Sequence, residues 1–336
     1  MKKLKRIFAV FFCLLLAAGI LGGCGKAASS SAPAPSALQS GNKPLKIVTT
    51  IFPEYDWVRE ILGDKADHAE VTMLLDNGVD LHSYQPTADD IIKISDCDLF
   101  LYVGGESDGW VEDALKEATN QNMKVINLLD VLGEQVKEEE VVEGMEAEEE
   151  ESEDEDEPEY DEHVWLSLKN AETLCSAITD ALEEIDPANK DAYATNAASY
   201  LEKLAALDGE YQTVVDNAAR KTVLFGDRFP FRYLVDDYGL SYYAAFVGCS
   251  AETEASFETV SFLAKKVDEL KLPCVLTIEG AQHKIAETIV QNTAEKNQKV
   301  LTMDSMQSTN SKDVANGTTY LSMMEKNLSV LKEALG

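Results

Sequence analysis

A long amphipathic helix predicted in the middle of the chain limits the folds that this sequence can adopt. It begins at Asp186, an N-cap residue followed by a proline in the first turn, and continues to residue 220. At about 45 Å it is long enough to cross a domain. Its apolar residues recur at spacings of three and four, which places them on one face. They are Tyr193, Ala197, Tyr200, Leu204, Leu207, Tyr211 and Val214.

Short apolar runs alternate with helical patterns on both sides of this helix. The runs LKIVTTI, AEVTMLL, DLFLYVG and KVINLL precede it, and TVLFG, SYYAAFVG, CVLTIEG and KVLTMDS follow it. Such alternation predicts parallel sheets covered by helices. We therefore predict an α/β protein with two parallel-sheet lobes, residues 45–185 and 221–336, joined by one rigid helix over 186–220. A helical connection of this kind disfavours large closure motions.

The N-terminal segment predicts export and anchoring. A basic start, MKKLKR, precedes the apolar run IFAVFFCLLLAAGI, which is short for a membrane span. The following LGGC resembles the lipobox of bacterial lipoproteins, which implies a signal peptide over 1–23 and an acylated Cys24 as mature N-terminus. A plain secretory signal with a chance cysteine is the alternative. Residues 24–44, rich in Ser, Ala and Pro, predict a flexible tether. We therefore predict an extracytoplasmic protein, lipid-anchored to the bacterial cell membrane.

The charge of the chain is strongly negative and unevenly distributed. The formal net charge is −32, and 17 Asp or Glu fall between residues 138 and 162, without any Lys or Arg. This sign disfavours nucleic acid and anionic membrane surfaces as partners, and it attracts cations. We predict that 138–162 is a solvated surface loop. A second interpretation is that the loop gathers cations weakly near a binding site.

The cysteines outside the N-terminal segment are scattered and form no CxxC pair. We predict buried free thiols rather than disulfides or a zinc–thiolate site. The segment GCSAETEAS is interpreted as a loop that leads into a helix, with Ser256 as the N-cap of that helix. The four cysteines are Cys97, Cys175, Cys249 and Cys274.

Three residues with metal-binding side chains occupy comparable places in the predicted fold. His82 and His163 each lie just before a predicted helix, and Asp304 lies at the carboxyl end of a predicted strand. Ligands in open α/β sheets bind at the carboxyl ends of the strands, so these residues predict a metal site with nitrogen and oxygen ligands.

Several segments occur in the order found in one known family. They are DNGVDLHSYQPTADDI, DEHVWLSLKNA, YLVDDYGL, LTIEG…KIAETI and LTMDSMQ…TYLSMMEKNLSVLKEAL. From about Leu45 to the C-terminus the chain resembles the zinc/manganese solute-binding lipoproteins of bacterial ABC transporters. The resemblance implies one divalent ion between two lobes, with His82, His163 and Asp304 as ligands. It also implies an ABC permease and its ATPase as partners of a monomeric binding protein.

The third ligand position departs from the pattern of the family. Members carry His or Glu there, whereas this chain aligns Arg228, whose guanidinium has no lone pair to donate. We predict that the adjacent Asp227 is the ligand, with Arg228 pairing with a ligating carboxylate or facing away. A three-ligand site completed by water is the alternative. Glu279 and His283 are expected to support the ligands or to lie at the surface.

The predicted ligand set admits more than one ion and more than one function. Two imidazoles with two carboxylates suit both Zn²⁺ and Mn²⁺, and we favour zinc by the Irving–Williams order. We predict a binding protein that captures this ion outside the cell and delivers it to a permease. The alternatives are a manganese-specific member of the same family and a secreted metal-dependent hydrolase. The sequence has no HExxH motif, which disfavours a metal-dependent hydrolase.

Overall fold

A computed structural model of the protein describes residues 43–146, 159–250, 254–280 and 283–336. The predicted signal peptide, Cys24 and nearly all of the tether lie outside the described residues, as does the centre of the acidic run, 147–158. Among the described residues, no helix combines the length and the hydropathy needed to cross a membrane.

Four parallel strands form the sheet of the first half. Their order is β2-β1-β3-β4, with Leu45 opposite Ala69 and Ile47 opposite Leu99. The strands are β1 (Leu45–Thr49), β2 (Ala69–Met73), β3 (Leu99–Tyr102) and β4 (Lys124–Asn127). The helices of this half are α1 (Phe52–Leu62), α2 (Ala88–Ser95), α3 (Val111–Lys116), α4 (Leu128–Leu132) and α5 (Leu168–Ile185).

The predicted long helix is present as α6 (Lys190–Asn217), 28 residues long. It begins four residues after Asp186 because a 3₁₀ turn, Pro187–Asn189, occupies the first predicted turn. The Asp186 carboxylate accepts hydrogen bonds from Asn189 and from the Tyr193 hydroxyl, at 2.7 and 2.6 Å. The buried face matches the prediction except at its end, where Val215 is buried and Val214 is half-buried. A spacing of four from Tyr211 explains this difference, since it keeps the residue on the same stripe.

Parallel pairs also form the second half. Its strands are β5 (Thr222–Leu224), β6 (Arg228–Phe229), β7 (Ser241–Tyr243), β8 (Phe246–Val247), β9 (Cys274–Thr277) and β10 (Lys299–Thr302). A bridge between Phe225 and Leu276 connects the β5–β7 pair to the β9–β10 pair. The helices are α7 (Arg232–Tyr238), α8 (Phe257–Leu270), α9 (Lys284–Asn292), α10 (Ser311–Ala315) and α11 (Tyr320–Leu335).

The run SYYAAFVG, predicted as one strand, forms two. It breaks at Ala244 and Ala245, both fully buried, because β8 leaves β7 to pair in parallel with β6. This pairing brings the segment after β8 beside the segment that contains Arg228.

The larger hydrophobic core of the described residues lies under both halves and the long helix, and a smaller one lies in the second half against α8 and α9. Tyr320 of α11 donates to the Trp165 carbonyl at 2.7 Å and packs edge-on against Trp57, with ring centroids 5.2 Å apart. Tyr211 of α6 donates to the Met324 carbonyl of α11 at 2.6 Å. The predicted α/β fold with parallel sheets and a long helix is therefore confirmed. The exact residue limits of the two lobes stay a prediction.

Candidate metal centre

Two imidazoles from separate turns meet in the interior. His82 lies in a 3₁₀ turn, Leu81–Ser83, and His163 directly precedes another, Val164–Leu166, which leads into α5. Their Nε2 atoms are 3.2 Å apart. Two nitrogens that each lie about 2.0–2.1 Å from one tetrahedral zinc ion are about 3.3 Å apart. The pair is therefore spaced as two ligands of a single ion.

His163 is held in the orientation that a metal ligand needs. The side chain is fully buried, and its Nδ1 lies 3.0 Å from Asp161 Oδ1. The same carboxylate oxygen accepts the backbone N–H of His163 at 2.8 Å. Donation from Nδ1–H to this carboxylate leaves the lone pair on Nε2, which faces His82. Asp161 therefore positions the ring and fixes its tautomer.

His82 is also oriented by a carboxylate, that of Glu162. Its Nδ1 lies 2.8 Å from Ser107 Oγ and 3.4 Å from Glu162 Oε2. Burial alone would raise the pKa of Glu162, but hydrogen bonds from His82 and Ser107 hold that pKa below its usual value. At Gly105, where φ is +81°, a Cβ would lie 2.3 Å from Glu162 Oε1. A glycine at this turn is therefore needed to admit the carboxylate.

Asp161 and Glu162 are the last residues of the acidic run, and both are only 2 % exposed. The prediction of a solvated loop is therefore wrong at this end, because hydrogen-bond donors and the two imidazoles compensate the burial of these charges. The described flanks of the run pair with each other through Glu138 and Tyr160. Sequence reasoning missed these two positioning residues, although they directly precede His163.

Cys249 is the third potential ligand at the imidazole pair. One ligand atom from each of His82, His163 and Cys249 lies within 4.8 Å of the other two, the single such group of three in the described part of the chain. Burial, and then the carboxylates of Glu139 and Asp161, raise the pKa of this thiol well above its usual range. The four cysteines are free thiols, as predicted; three are buried and Cys249 is half-buried. Ser256 does cap α8, accepting from Thr259 N at 3.1 Å.

The two predicted aspartate ligands lie outside this group of three, as far as the described residues show. Asp227 Oδ1 accepts from Arg228 N at 3.0 Å, and Oδ2 lies 3.4 Å from Ile278 N. Asp304 Oδ1 accepts from Met306 N at 2.8 Å. Burial, followed by the Glu279 carboxylate, raises the pKa of Asp304 to about 7. Their role as ligands stays a prediction.

The two residues expected to support the site differ in their contacts. Glu279 accepts hydrogen bonds from the backbone N–H and hydroxyl of Ser305, at 2.6 and 2.7 Å, and so holds the loop that carries Asp304. His283 precedes α9, and its Nδ1 is buried without a hydrogen-bond partner among the described residues.

Arg228 connects the two halves beside the site. Its guanidinium forms an ion pair with Asp80 and lies 3.4 Å from the Ser250 carbonyl oxygen. Asp80 is not one of the predicted ligands, but its other carboxylate oxygen accepts the N–H of His82 at 3.0 Å. Burial would raise the pKa of Asp80, yet Arg228 and His82 lower it, so this carboxylate stays charged. Arg228 thus acts on His82 through Asp80.

We expect Arg228→Ala to weaken zinc binding about 10- to 100-fold, without abolishing it, because the turn that carries His82 loses one of its anchors. Competition titration with a chromophoric chelator measures this. The matched control is Arg59→Ala, at an exposed arginine whose side chain donates to the Tyr55 hydroxyl. A loss as complete as that caused by removing a histidine would contradict an indirect role.

Comparisons with known proteins match the chain to a family of zinc-uptake components. The model of the family described as "Zinc-uptake complex component A periplasmic" matches residues 47–334. The chain is 33% identical over 290 residues to the zinc-binding lipoprotein AdcA of Streptococcus pneumoniae serotype 4, covering 86% of this chain and 55% of that one. It is 31% identical over 337 residues to the high-affinity zinc uptake system protein ZnuA of Bacillus subtilis, covering 99% and 98%.

A solved structure gives the same result for the fold. The Zn(II)-bound ZnuA-like domain of Streptococcus pneumoniae AdcA superimposes with a TM-score of 0.67 at 30% identity, covering 87% of this chain and 98% of that one. The chain spans about half the length, 55%, of the first curated relatives that it matches.

Proposed function

The chain belongs to the zinc-uptake complex component A family, and from that premise we propose that it captures a divalent transition metal ion outside the cell and delivers it to a membrane permease. The observation that carries the proposal is the 3.2 Å separation between the Nε2 atoms of two oriented imidazoles, His163 buried and His82 half-buried. Zinc is the favoured cargo over manganese, since imidazole nitrogen suits it and the ligand spacing matches a tetrahedral ion.

The proposed ligand set begins with His82 and His163. Asp304 completes it from the second half, on the loop that the Trp165 indole reaches by donating to the Ser305 carbonyl at 2.9 Å. Asp227 is the sequence-based choice for the remaining position. Asp227 lies between β5 and β6 and Asp304 follows β10, so both lie on loops whose movement on binding is proposed to bring a carboxylate to the ion.

We further propose that the chain has no catalytic activity and acts as a monomer. Its signal peptide would span 1–23, the tether 24–44, and the lobes 45–185 and 221–336, with the helix region 186–220 between them. Acylation of Cys24 would hold it at the cell membrane beside an ABC permease and the ATPase of that permease. An ion enclosed by buried protein ligands is suited to transport, since a catalytic metal keeps a position open for substrate.

Titration of the purified chain tests the binding step. We expect one Zn²⁺ per chain, with Mn²⁺ bound more weakly, and a thermal stabilisation of about 2.7 kcal/mol when free zinc exceeds Kd 100-fold. Competition with a chromophoric chelator gives the affinities, and scanning calorimetry gives the shift. Failure to bind either ion would contradict the proposed function. Tighter binding of Mn²⁺ would establish the manganese alternative instead.

A further inference from the structure

Arg228 cannot supply the third metal ligand, but a residue from another part of the chain lies close enough to do so. We propose that the Cys249 thiolate is the third ligand of the captured ion, in place of a residue at 227 or 228. This inference rests on the proposed function and deepens it, because it names the donor that selects the ion. The thiol sulfur and the two imidazoles already lie within 4.8 Å of one another before any ion is bound.

Strand pairing explains how a residue so far along the chain reaches the site. β8 lies parallel to β6, with Phe246 opposite Arg228 and Val247 opposite Phe229. Cys249 is the second residue after β8, so it follows the carboxyl end of the strand that pairs with β6, whose first residue is Arg228. The strand that should carry the ligand and the strand that carries the thiol are therefore immediate neighbours.

A glycine and a carboxylate set the position of Cys249. At Gly248, a Cβ would lie 3.0 Å from Cε1 and Nδ1 of His163, so the absence of a side chain lets the backbone pass against the ring. The N–H of Cys249 donates to Glu139 Oε1 at 3.0 Å. Glu139 belongs to the acidic run, so both described flanks of this run contact the site.

The competing residues at the third position are engaged elsewhere. Arg228 is paired with Asp80, and both carboxylate oxygens of Asp227 face backbone N–H groups. In a tetrahedral zinc site a sulfur and a nitrogen ligand are about 3.6 Å apart. The Cys249 sulfur now lies within 4.8 Å of a nitrogen of each imidazole, so each sulfur–nitrogen distance needs to shorten by about 1.2 Å at most. Cys249 therefore reaches the ion with the smaller rearrangement.

When the ion binds, the Cys249 sulfur exchanges its bond to hydrogen for a bond to the metal. The Sγ–H bond breaks as the sulfur–metal bond forms, and the proton passes to the buffer, so one proton is released per ion bound through this ligand. The donor set becomes two imidazole nitrogens and one thiolate, with Asp304 as the proposed fourth ligand. Soft sulfur favours Zn²⁺ over Mn²⁺, so Cys249 confers selectivity for zinc.

Cobalt substitution tests the proposal directly. The purified chain, kept reduced, is titrated with Co²⁺ and its absorption spectrum recorded. We expect an intense near-ultraviolet sulfur-to-cobalt charge-transfer band that Cys249→Ser removes and that Cys274→Ser, the matched control at another free thiol, retains. Loss of a residue that only supports a ligand by hydrogen bonding weakens metal binding by up to roughly 100-fold. We expect Cys249→Ser to weaken Zn²⁺ binding by more than this.

A second measurement keeps the test decisive if the serine variant does not fold. In the unmodified protein, Zn²⁺ should protect Cys249 from alkylation, as located by peptide mass mapping. Tight binding of Zn²⁺ and Co²⁺ with no charge-transfer band and no protection would overturn the Cys249 proposal and leave the proposed function standing. Absence of any metal binding would overturn both.

Discussion

Replacing His163 by alanine should remove tight zinc binding, with a rise in Kd well beyond the roughly 100-fold expected for a supporting residue. His163 supplies one of the two nitrogens that are already spaced for an ion, and its Nδ1 is fixed by Asp161. Without the ring, His82 faces a cavity and Asp161 loses its partner. His82→Ala should have the same effect. Competition titration with a chelator measures both variants.

The control for the histidine variants is His68→Ala. His68 lies exposed in the 3₁₀ segment Gly63–His68, away from the two imidazoles, and its removal should leave Kd unchanged. Thermal unfolding of each variant without metal separates lost binding from lost folding. If a folded His163→Ala protein bound zinc with the affinity of the unmodified chain, His163 would not be a ligand of the ion.

The largest loss of stability should follow Trp165→Ala, about 3–5 kcal/mol in the free energy of unfolding. Trp165 is fully buried, lies 5.2 Å from the His163 ring between centroids, and donates its indole N–H to the Ser305 carbonyl. The substitution therefore removes core volume and a hydrogen bond between the two halves. Chemical denaturation measures the change.

Two further variants divide this effect into its parts. Trp165→Phe keeps most of the apolar volume and loses the N–H donor, so it should cost less than the alanine variant. Phe257→Ala, at an aromatic side chain that is 81 % exposed, should be close to neutral. A loss below about 1 kcal/mol for Trp165→Ala would mean that this residue does not join the halves.

Local periodicity was sufficient to predict most of the fold. The alternation of runs such as DLFLYVG with helical patterns gave the parallel sheets, and spacings of three and four gave the buried face of α6. Periodicity failed at SYYAAFVG, because the break at Ala244 depends on β8 pairing with β6 rather than on any local breaker. Short strands whose partner is remote in sequence carry no such signal.

Site residues could be predicted from the sequence only where they belong to recognisable motifs. His82 and His163 stand in recognisable segments, and the structure brings them together. Cys249 was missed because its place depends on strand pairing between residues far apart in the chain. The pair between Arg228 and Asp80 spans 148 positions and was missed for the same reason. Glu162 was missed because a carboxylate within an acidic run is ordinarily solvated, and its burial depends on the space at Gly105.

The shared aromatic core determines how an ion could leave. Tyr320 packs on Trp57 and bonds to Trp165, so separating the halves would expose large rings, each at a cost of about 4–6 kcal/mol for 150–250 Å² of surface. We therefore expect the short turns that carry His82 and Cys249 to move on metal exchange, while this aromatic core stays packed. Under the proposed function, we expect exchange of the ion to depend on the ion pair between Arg228 and Asp80, which joins the halves beside these turns.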